Sequence, residues 1–291
     1  MKELLYSKAE VKLHCKGQLL ENPIWNFKTK TLTFVDIKSK CFYIWKKKLK
    51  KYKFSKIISN FLPTSSKNVW LASSKNKILR IKKIGKKIYI NCECTLDIDK
   101  NSRLNDAKID SSGRLWASSM DNNQKDKTGK LYFFKNLTKP NIISENFIIG
   151  NGIDWSPNQK KLYFVKSDKK TIFIYDYNKK SGKVKNCKLF AKIPKSRGIP
   201  DGICVDTLGY IWVACWDGGC IIRYNQKGKI NNIIKLPVSR PTSLCFGGGN
   251  LKNIYVTTAR KLNNNKLEKN SGNVFIIKTN IKGKKIHYFK F

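Results

Sequence analysis

Short apolar segments alternate with polar turns along the whole chain, and one type of segment recurs six times. Each copy contains an aliphatic residue, then an aromatic residue or Thr, then small or apolar residues. The copies are TLTFVDI, NVWLASS, RLWASSM, KLYFVKS, YIWVACW and NIYVTTA. Their aromatic or Thr positions, which we call markers, are Thr33, Trp70, Trp116, Tyr163, Trp212 and Tyr255. Successive markers are 37, 46, 47, 49 and 43 residues apart, close to the roughly 40 to 50 residues of one four-stranded propeller blade.

Further β-rich stretches such as TIFIYDY and CIIRYN lie between the copies, separated by turn clusters such as NKKSGK. No segment has a sustained apolar period of 3.6 residues, so the pattern does not support a helical or alternating βα fold. A barrel or a stacked sandwich is also all-β, but a sandwich does not require six near-equal repeats. We therefore predict an all-β, six-bladed β-propeller of four-stranded blades around a central channel, with residues 1–291 forming a single domain.

The composition is that of a packed chain without a membrane segment. Of the 291 residues, 41% are hydrophobic and 12% aromatic, which is enough apolar material for a core. The sequence has neither the apolar stretch of a signal peptide nor the roughly 20 apolar residues of a membrane span. We therefore expect a cytoplasmic protein. The nine cysteines are odd in number and several lie in apolar strand-like segments, so no disulfide framework is expected. Because the chain has no Cys-x-x-Cys pair and only two histidines, a structural zinc site is not expected either.

The net charge of +41 raises the question of nucleic-acid binding. Of the 60 basic residues 53 are lysines, scattered through every segment with abundant Asn and Ile. Proteins that read nucleic acid tend to use Arg and grouped basic faces, so nucleic acid is not an expected partner. The one dense cluster, residues 45–53, is expected to be a solvated hairpin tip. An anion-binding patch is the alternative for that cluster.

Four side chains that carry an oxygen ligand lie 11 or 12 residues before a marker. They are Glu21, Asn105, Asn151 and Asp201. In a propeller, the loop leading into the innermost strand of each blade opens onto one end of the channel. Residues at the same distance before their markers, which we call residues of equal phase, should therefore converge there. The second blade offers only Ile58 or Ser59 at this phase, and the sixth offers Pro241 and Thr242, which lie 14 and 13 residues before its marker. The predicted ring of ligands is therefore incomplete.

Carboxylate and amide oxygens without imidazole or thiolate suit one hard divalent metal ion, Ca²⁺ first, with Mg²⁺, Mn²⁺ or Zn²⁺ as alternatives. Asn151-Gly152 and Asp201-Gly202 could each also be simple turn dipeptides. Their shared phase with Glu21 favours the metal site. A metal held in this way can polarise a carbonyl oxygen and lower the pKa of a bound water, which is the chemistry that lactone hydrolysis needs.

Other catalytic arrangements lack their residues. The chain has no Gly-x-Ser-x-Gly motif, and neither of its two histidines, His14 and His287, lies at the channel phase. A serine triad is therefore not supported.

Several segments, taken together, resemble the senescence marker protein 30, gluconolactonase and luciferin-regenerating enzyme (regucalcin-like) family. The segments are 21–25 (ENPIW), 103–106 (RLND), 110–116 (DSSGRLW), 151–157 (NGIDWSP), 200–206 (PDGICVD), 211–214 (IWVA), 216–219 (WDGG) and 236–243 (LPVSRPTS). They extend over most of the chain. The resemblance implies a six-bladed propeller lactonase.

The resemblance also assigns roles to residues. It implies that Glu21, Asn151 and Asp201 are the metal ligands, which agrees with the phase argument. It implies that Arg103 and Asn105 hold the oxygens of the lactone, and that Asp201, which touches both metal and water, is the general base.

Other positions bear on the same site. Asp106 is either a support for the site or a turn residue. Asn123 falls where animal members carry a substrate-facing Glu, so it is a candidate for substrate binding. Two positions depart from the family pattern, Ala107 in place of a usual Gly and Lys166 in place of a frequent Asp. A cation at position 166 would weaken metal binding if it entered the channel.

We therefore predict a metal-dependent hydrolase that opens a sugar (aldono) lactone, such as gluconolactone, to the aldonic acid. A non-catalytic calcium-binding propeller with a binding or regulatory role is the alternative, because a propeller face is also a common docking platform. A lysine-driven nucleic-acid binder is a third possibility, disfavoured by the scattered lysines. The sequence leaves open whether the chain is a monomer or a dimer.

Overall fold

The computed structural model describes residues 6–291, which form six four-stranded antiparallel sheets arranged as the blades of a β-propeller. The predicted fold is confirmed. Strand β1 (Glu10–Leu13) comes first in the chain but belongs to the last blade. The first blade contains β2 (Leu20–Asn26), β3 (Thr31–Asp36), β4 (Cys41–Trp45) and β5 (Leu49–Lys53). The second contains β6 (Asn60–Pro63), β7 (Val69–Ser74), β8 (Lys77–Ile84) and β9 (Lys87–Thr95).

The next three blades follow the same order, from the innermost strand outwards. The third contains β10 (Ser102–Ile109), β11 (Leu115–Asp121), β12 (Gly129–Phe134) and β13 (Asn141–Phe147). The fourth contains β14 (Gly150–Trp155), β15 (Lys161–Lys166), β16 (Thr171–Tyr177) and β17 (Val184–Lys192). The fifth contains β18 (Ile199–Val205), β19 (Ile211–Trp216), β20 (Cys220–Tyr224) and β21 (Ile230–Lys235). A 3₁₀ turn, Lys195–Arg197, precedes β18.

The sixth blade joins the two ends of the chain. It contains β22 (Pro241–Gly247), β23 (Asn253–Thr258) and β26 (Val274–Lys278), with β1 as its outermost strand. A small hairpin, β24 (Leu262–Asn263) and β25 (Lys266–Leu267), lies between β23 and β26. Strand β1 pairs with β26 in the register Val11 to Phe275. The ring is thus closed by hydrogen bonds between strands from opposite ends of the sequence, which leaves fewer free sheet edges.

The hydrophobic core lies between neighbouring blades. Trp116 of the third blade packs against Trp155 of the fourth, with ring centroids 5.8 Å apart, and both are fully buried. The second strand of a blade is covered by both neighbours, and every residue of β11 is buried. This burial explains why the recurring apolar segment is the clearest repeat in the sequence. The markers lie in the second strands, not in the innermost strands where our phase argument placed them.

A repeated corner fixes the first and second strands of two blades. In the third blade, Asp110 accepts a hydrogen bond from the indole nitrogen of Trp116 at 3.1 Å and pairs with Arg114 at 2.8 Å. In the fifth, Asp206 accepts from the indole nitrogen of Trp212 at 3.0 Å and pairs with Arg223 at 2.8 Å. These carboxylates are fully buried, and such groups are stable only when they are paired and hydrogen-bonded.

The C-terminal residues 281–290, which we call the strap, cross one end of the channel. Gly283 forms a bridge with Asp206 of the fifth blade, and Phe289 forms one with Thr64 of the second. Between these points Lys284 forms an ion pair with Asp154 at 2.9 Å. A cavity of about 90 Å³ separates the strap from the middle of the channel. Within residues 6–291, no helix is long and apolar enough to cross a membrane.

Candidate metal and substrate site

The innermost strands of five blades contain a β-bulge at the same level. In each, the inner strand has one more residue than its partner between two paired positions. The bulges span 21–24, 104–107, 150–153, 200–203 and 241–243. The second blade pairs regularly, from Asn60 opposite Ser73 to Pro63 opposite Trp70. A bulge turns side chains away from the regular alternation of a strand, and four of the five bulges carry the polar residues predicted from phase.

These residues therefore lie within the innermost strands, not in the loops that lead into them. Asn151-Gly152 and Asp201-Gly202 belong to β14 and β18, so they are not turn dipeptides. At Gly152 and Gly202 neighbouring atoms leave no room for a side chain. A Cβ atom at Gly152 would lie 2.7 Å from the backbone nitrogen of Ile203, and one at Gly202 would lie 2.1 Å from the hydroxyl of Ser243.

A chain of hydrogen bonds links three blades around the channel. The amide of Asn105 donates to the side-chain oxygen of Asn151 at 3.1 Å and to the carbonyl of Gly150 at 2.8 Å. Asn151 donates to the hydroxyl of Ser167 at 3.1 Å, and Ser167 donates to the carbonyl of Pro200 at 2.6 Å. These bonds fix the orientation of both amides, since Asn105 is 9% exposed and Asn151 is 8% exposed.

Arg103 lies beside this chain. Its Nη1 atom donates to the side-chain oxygen of Asn105 at 2.7 Å, to the hydroxyl of Ser59 at 3.2 Å and to the carbonyl of Leu104 at 3.1 Å. Burial lowers the pKa of Arg103 to about 10, although the negative charges of Glu21 and Asp201 favour its charged form. Within residues 6–291 its hydrogen bonds all use Nη1, so Nη2 and Nε remain available to a ligand.

Glu21 and Asp201 lie in the same electrostatic cluster. Burial, followed by the charge of Asp106, raises the pKa of Glu21 to about 8. The pKa of Asp201 is raised well above its usual value by burial, and further by the charges of Glu21 and Asp106. Asp201 is 6% exposed, and its Oδ1 atom has no hydrogen-bond partner among the described residues. The site therefore concentrates negative charge that Arg103 alone does not balance.

The donor set fits a hard divalent cation. The orphaned Oδ1 of Asp201 is an acceptor without a donor, and a cation beside Glu21 and Asp201 would offset the repulsion between their carboxylates. Across residues 6–291, no three His, Cys, Asp or Glu side chains are grouped so as to hold a metal by themselves. A metal here would need an amide oxygen as a further ligand, which Asn151 can supply.

Asn123 is not part of this hydrogen-bonded cluster. It lies in the exposed turn that follows β11, where its backbone N–H binds the carboxylate of Asp121. Because Met120 near the end of β11 is paired with Arg103 near the start of β10, the turn projects from the same face of the propeller as the site.

Positions 107 and 166, where the chain departs from the family pattern, do not add charge to the cluster. Ala107 is buried at the base of the third-blade bulge. The ammonium of Lys166 lies 5.0 Å from the ring centroid of Phe147 and 4.9 Å from that of Phe173. Since those rings belong to outer strands β13 and β16, the cation points away from the cluster.

Sequence reasoning missed the residues that connect the site to its neighbours. Asn22 accepts a hydrogen bond from the backbone N–H of Phe61 at 3.1 Å and donates to the carbonyl of Ala107 at 3.4 Å. It thereby joins the first three blades. Ser59 had a detectable signal, because it occupies the ligand phase of the second blade. Ser167 had none, since it follows a marker strand rather than preceding one.

The arrangement defines a class of protein: a six-bladed propeller with a carboxylate and amide site at one mouth of its channel. Residues 19–260 match the family described as "SMP-30/Gluconolactonase/LRE-like region", and the chain belongs to this family. Regucalcin from Gallus gallus is 33% identical over 270 residues, covering 86% of this chain and 88% of that protein. Regucalcin from Bos taurus is 34% identical over 258 residues, covering 82% and 83%.

Solved structures show the same likeness. The structure of a luciferin-regenerating enzyme matches with a TM-score of 0.90 and 29% identity, covering 97% of this chain and all of that one. A calcium-binding protein, regucalcin, from Agrobacterium tumefaciens matches with a TM-score of 0.90 at 20% identity, covering 97% and 98%. The second likeness bears on the fold alone.

Proposed function

We propose that the protein is a metal-dependent lactonase that hydrolyses a sugar lactone to the aldonic acid. The observation that carries this proposal is the buried Asp201, which interacts electrostatically with Glu21 and Arg103 and whose Oδ1 has no hydrogen-bond partner among residues 6–291. Membership of a family whose description includes gluconolactonase supports it. A plain structural role for this cluster would leave repelling carboxylates and an unsatisfied oxygen without a compensating gain.

The proposed metal ligands are Glu21, Asn151 and Asp201. A divalent cation supplies a Lewis acid that polarises a carbonyl oxygen and lowers the pKa of a bound water, with Ca²⁺ favoured by the all-oxygen donor set. The hydrogen bonds from Asn105 to Asn151 and from Asn151 to Ser167 hold the amide ligand in one orientation. Such supporting bonds make the ligand geometry independent of substrate.

Arg103 and Asn105 are the proposed substrate-binding groups. The free Nη2 and Nε donors of Arg103 can bind the hydroxyl and ring oxygens of a lactone, while its Nη1 keeps Asn105 in place. Asn123, on the turn above the same face, is proposed to contact the distal part of the sugar. Sugar hydroxyl groups both donate and accept hydrogen bonds, which an amide side chain can match.

Asp201 is the proposed general base. Its carboxylate accepts a proton from the attacking water as the water oxygen forms a bond to the lactone carbonyl carbon. The bond between the carbonyl carbon and the ring oxygen then breaks, and Asp201 returns its proton to the ring oxygen, which gives the open hydroxy acid and restores the carboxylate. Arg103 beside Asp201 offsets the negative charge that develops on the carbonyl oxygen.

The test is hydrolysis of glucono-1,5-lactone, followed as acid release, by chelated protein and by protein resupplied with Ca²⁺, Mn²⁺ or Zn²⁺. We expect turnover only with metal, and a loss of at least about 10²-fold in Asp201→Asn. Asp126→Asn, in the exposed loop after β11, is the matched control and should keep full activity. Metal-independent turnover, or full activity in Asp201→Asn, would contradict the proposal.

A second candidate is a calcium-binding propeller without catalysis. It is favoured by the similarity to regucalcins, of which the Gallus gallus protein is 33% identical to this chain, together with the all-oxygen donor set of the site. A protein that only binds calcium requires Glu21, Asn151 and Asp201. It does not require the Nη2 and Nε donors of Arg103 to be available to a substrate. Metal binding by calorimetry without turnover on a panel of five- and six-membered aldonolactones would favour it over the lactonase.

A further inference from the structure

A large groove lies on the face of the propeller opposite the candidate metal site. It opens between the first and second blades, at the ends of β2 and β6, and the strap forms one wall. Glu21 of the candidate metal site lies near the start of β2, at the other end of that strand from the groove. The groove has a volume of about 1030 Å³, which is large enough for a small organic ligand.

The charge of the groove is of one sign. Of the residues that the structure describes, eight lysines line the groove and no Asp or Glu does. Four of the eight lie between positions 46 and 50 in the β4–β5 hairpin, and the others are Lys28, Lys67, Lys83 and Lys290. Among residues 6–291, no carboxylate forms an ion pair with any of the eight.

The walls of the groove are partly aromatic and rich in hydroxyl groups. Trp70, Tyr52 and Tyr288 line it and are only half-buried. Trp70 stacks on Phe61 beneath it, with ring centroids 5.0 Å apart, so its position is fixed by packing. The ammonium of Lys28 lies 5.0 Å from the ring centroid of Tyr288. A flat ring and several O–H donors are thus available beside the ammonium groups.

These lysines differ from ordinary solvated lysines because their side chains surround a single groove. They come from five separate segments of the chain, and folding brings them around one concavity. Like charges that converge there repel one another, and a low-dielectric wall focuses their field into the groove. An anion with several negative charges would relieve this repulsion. Lysine acts as a compact point charge, a common partner of phosphate.

We propose that this groove binds a small molecule that carries several phosphate groups. The concave shape favours such a ligand over a nucleic-acid strand, which would need a basic track that continues past the groove. Two sources share this chemistry, an inorganic polyphosphate chain and a nucleoside polyphosphate whose ring rests against the aromatic wall. The site is separate from the candidate metal site and does not depend on the lactonase proposal.

The experiment is calorimetric titration of the full chain with inorganic tripolyphosphate, ATP and adenosine in 150 mM salt, where charges beyond about 8 Å are screened. We expect both phosphate compounds to bind with a 1:1 stoichiometry and adenosine not to bind. Tighter binding of ATP than of tripolyphosphate would assign the ligand to the nucleoside class. Equal affinities would assign it to the phosphate chain alone, and both results support the proposal.

The variant Lys47→Glu/Lys50→Glu/Lys67→Glu should weaken both affinities at least tenfold. The matched control, Lys179→Glu/Lys188→Glu/Lys227→Glu, changes the net charge equally at exposed positions of the fourth and fifth blades and should keep wild-type affinity. Equal weakening in both variants would show attraction by net charge and overturn the proposal. Binding of neither phosphate compound, or binding of a single-stranded oligonucleotide alone, would also overturn it. Lactone turnover should be unchanged in the groove variant.

Discussion

At the scale of single residues, the candidate site combines carboxylates in a largely buried cluster with amides held by hydrogen bonds within and between neighbouring blades. Asp201 and Glu21 are pushed towards protonation by burial and by like charge, whereas Asn105 and Asn151 are fixed by hydrogen bonds at 3.1 Å or less. A preformed cation site is expected to hold its amide ligands in fixed orientations and to bring together carboxylates that repel one another in the absence of the cation.

Ser167 gives a test of this preorganisation. It touches Asn151 and the carbonyl of Pro200 but none of the proposed substrate groups. In Ser167→Ala the amide of Asn151 loses an acceptor, so we expect metal affinity to fall about tenfold with a stability loss of about 1 kcal/mol. Calorimetric titration with Ca²⁺ measures the affinity.

The control for Ser167 is Thr258→Val. Thr258 is fully buried and donates to the carbonyl of Asn273 at 2.7 Å in the sixth blade. Its loss should cost similar stability and leave metal affinity unchanged. An equal fall in metal affinity in both variants would mean that the effect is general loosening, not loss of ligand support.

At the scale of secondary-structure elements, the site depends on bulges that the sequence does not reveal. The repeat of aliphatic and aromatic residues predicted the number of blades, because second strands buried on both faces must be apolar. The phase of Glu21, Asn151 and Asp201 predicted which polar residues share a level. The extra residue in five inner strands was not predictable, since a bulge is a mismatch between two strands and leaves no fixed residue pattern in either.

Asn123 marks another limit of sequence reasoning. Its position was inferred from resemblance alone, and it lies in an exposed turn whose length differs from blade to blade. The contacts of Asn22 across three blades were also beyond prediction, because they depend on the distance between strands that are far apart in sequence.

The bulge in β18 can be tested through Gly202. A Cβ atom there would lie 2.1 Å from the hydroxyl of Ser243 and 2.8 Å from its Cα. Gly202→Ala must therefore shift the bulge and the adjacent Asp201. We expect a stability loss of about 1–3 kcal/mol by denaturant unfolding together with at least a tenfold loss of metal affinity.

Gly249→Ala is the matched control, because a Cβ atom at Gly249 would meet no atom of residues 6–291 within 4 Å. It should change neither property. Unchanged metal affinity in Gly202→Ala would show that the bulge does not position the site.

At the scale of the whole molecule, the ring is closed by β1 at its edge and by the strap beneath its channel. We propose that residues 1–291 unfold as one domain, because each blade buries its faces only against its neighbours. Differential scanning calorimetry should show one transition. Two resolved transitions would contradict this proposal. Deletion of residues 1–13 removes the outer strand of the sixth blade and should lower the melting temperature. An unchanged melting temperature after this deletion would also contradict the proposal.

The strap predicts an acid-dependent contribution to stability. Burial alone would raise the pKa of Asp154, but the ammonium groups of Lys108 and Lys284 outweigh burial and hold it well below its usual value. A carboxyl group whose pKa is lowered by folding stabilises the fold at pH values above its unfolded pKa of about 3.9. This stabilisation is lost as the pH falls below that value. We therefore expect the free energy of unfolding to decrease below about pH 3.9.

Lys284→Met tests the source of that dependence. The variant removes one of the two ammonium groups that pair with Asp154, so its stability should fall less steeply below pH 4 than that of the wild type. Urea unfolding at pH 3 and pH 6 measures the difference. Identical pH dependence in the two proteins would contradict the assigned role of the strap.

The central claim is that the bulged inner strands hold one divalent cation at the mouth of the channel. Anomalous diffraction from a crystal soaked in Mn²⁺ tests it most directly. We predict a single strong peak bonded to oxygens of Glu21, Asn151 and Asp201, absent from crystals of Asp201→Asn soaked in the same way. A peak elsewhere, or no peak with these side chains well ordered, would contradict the claim.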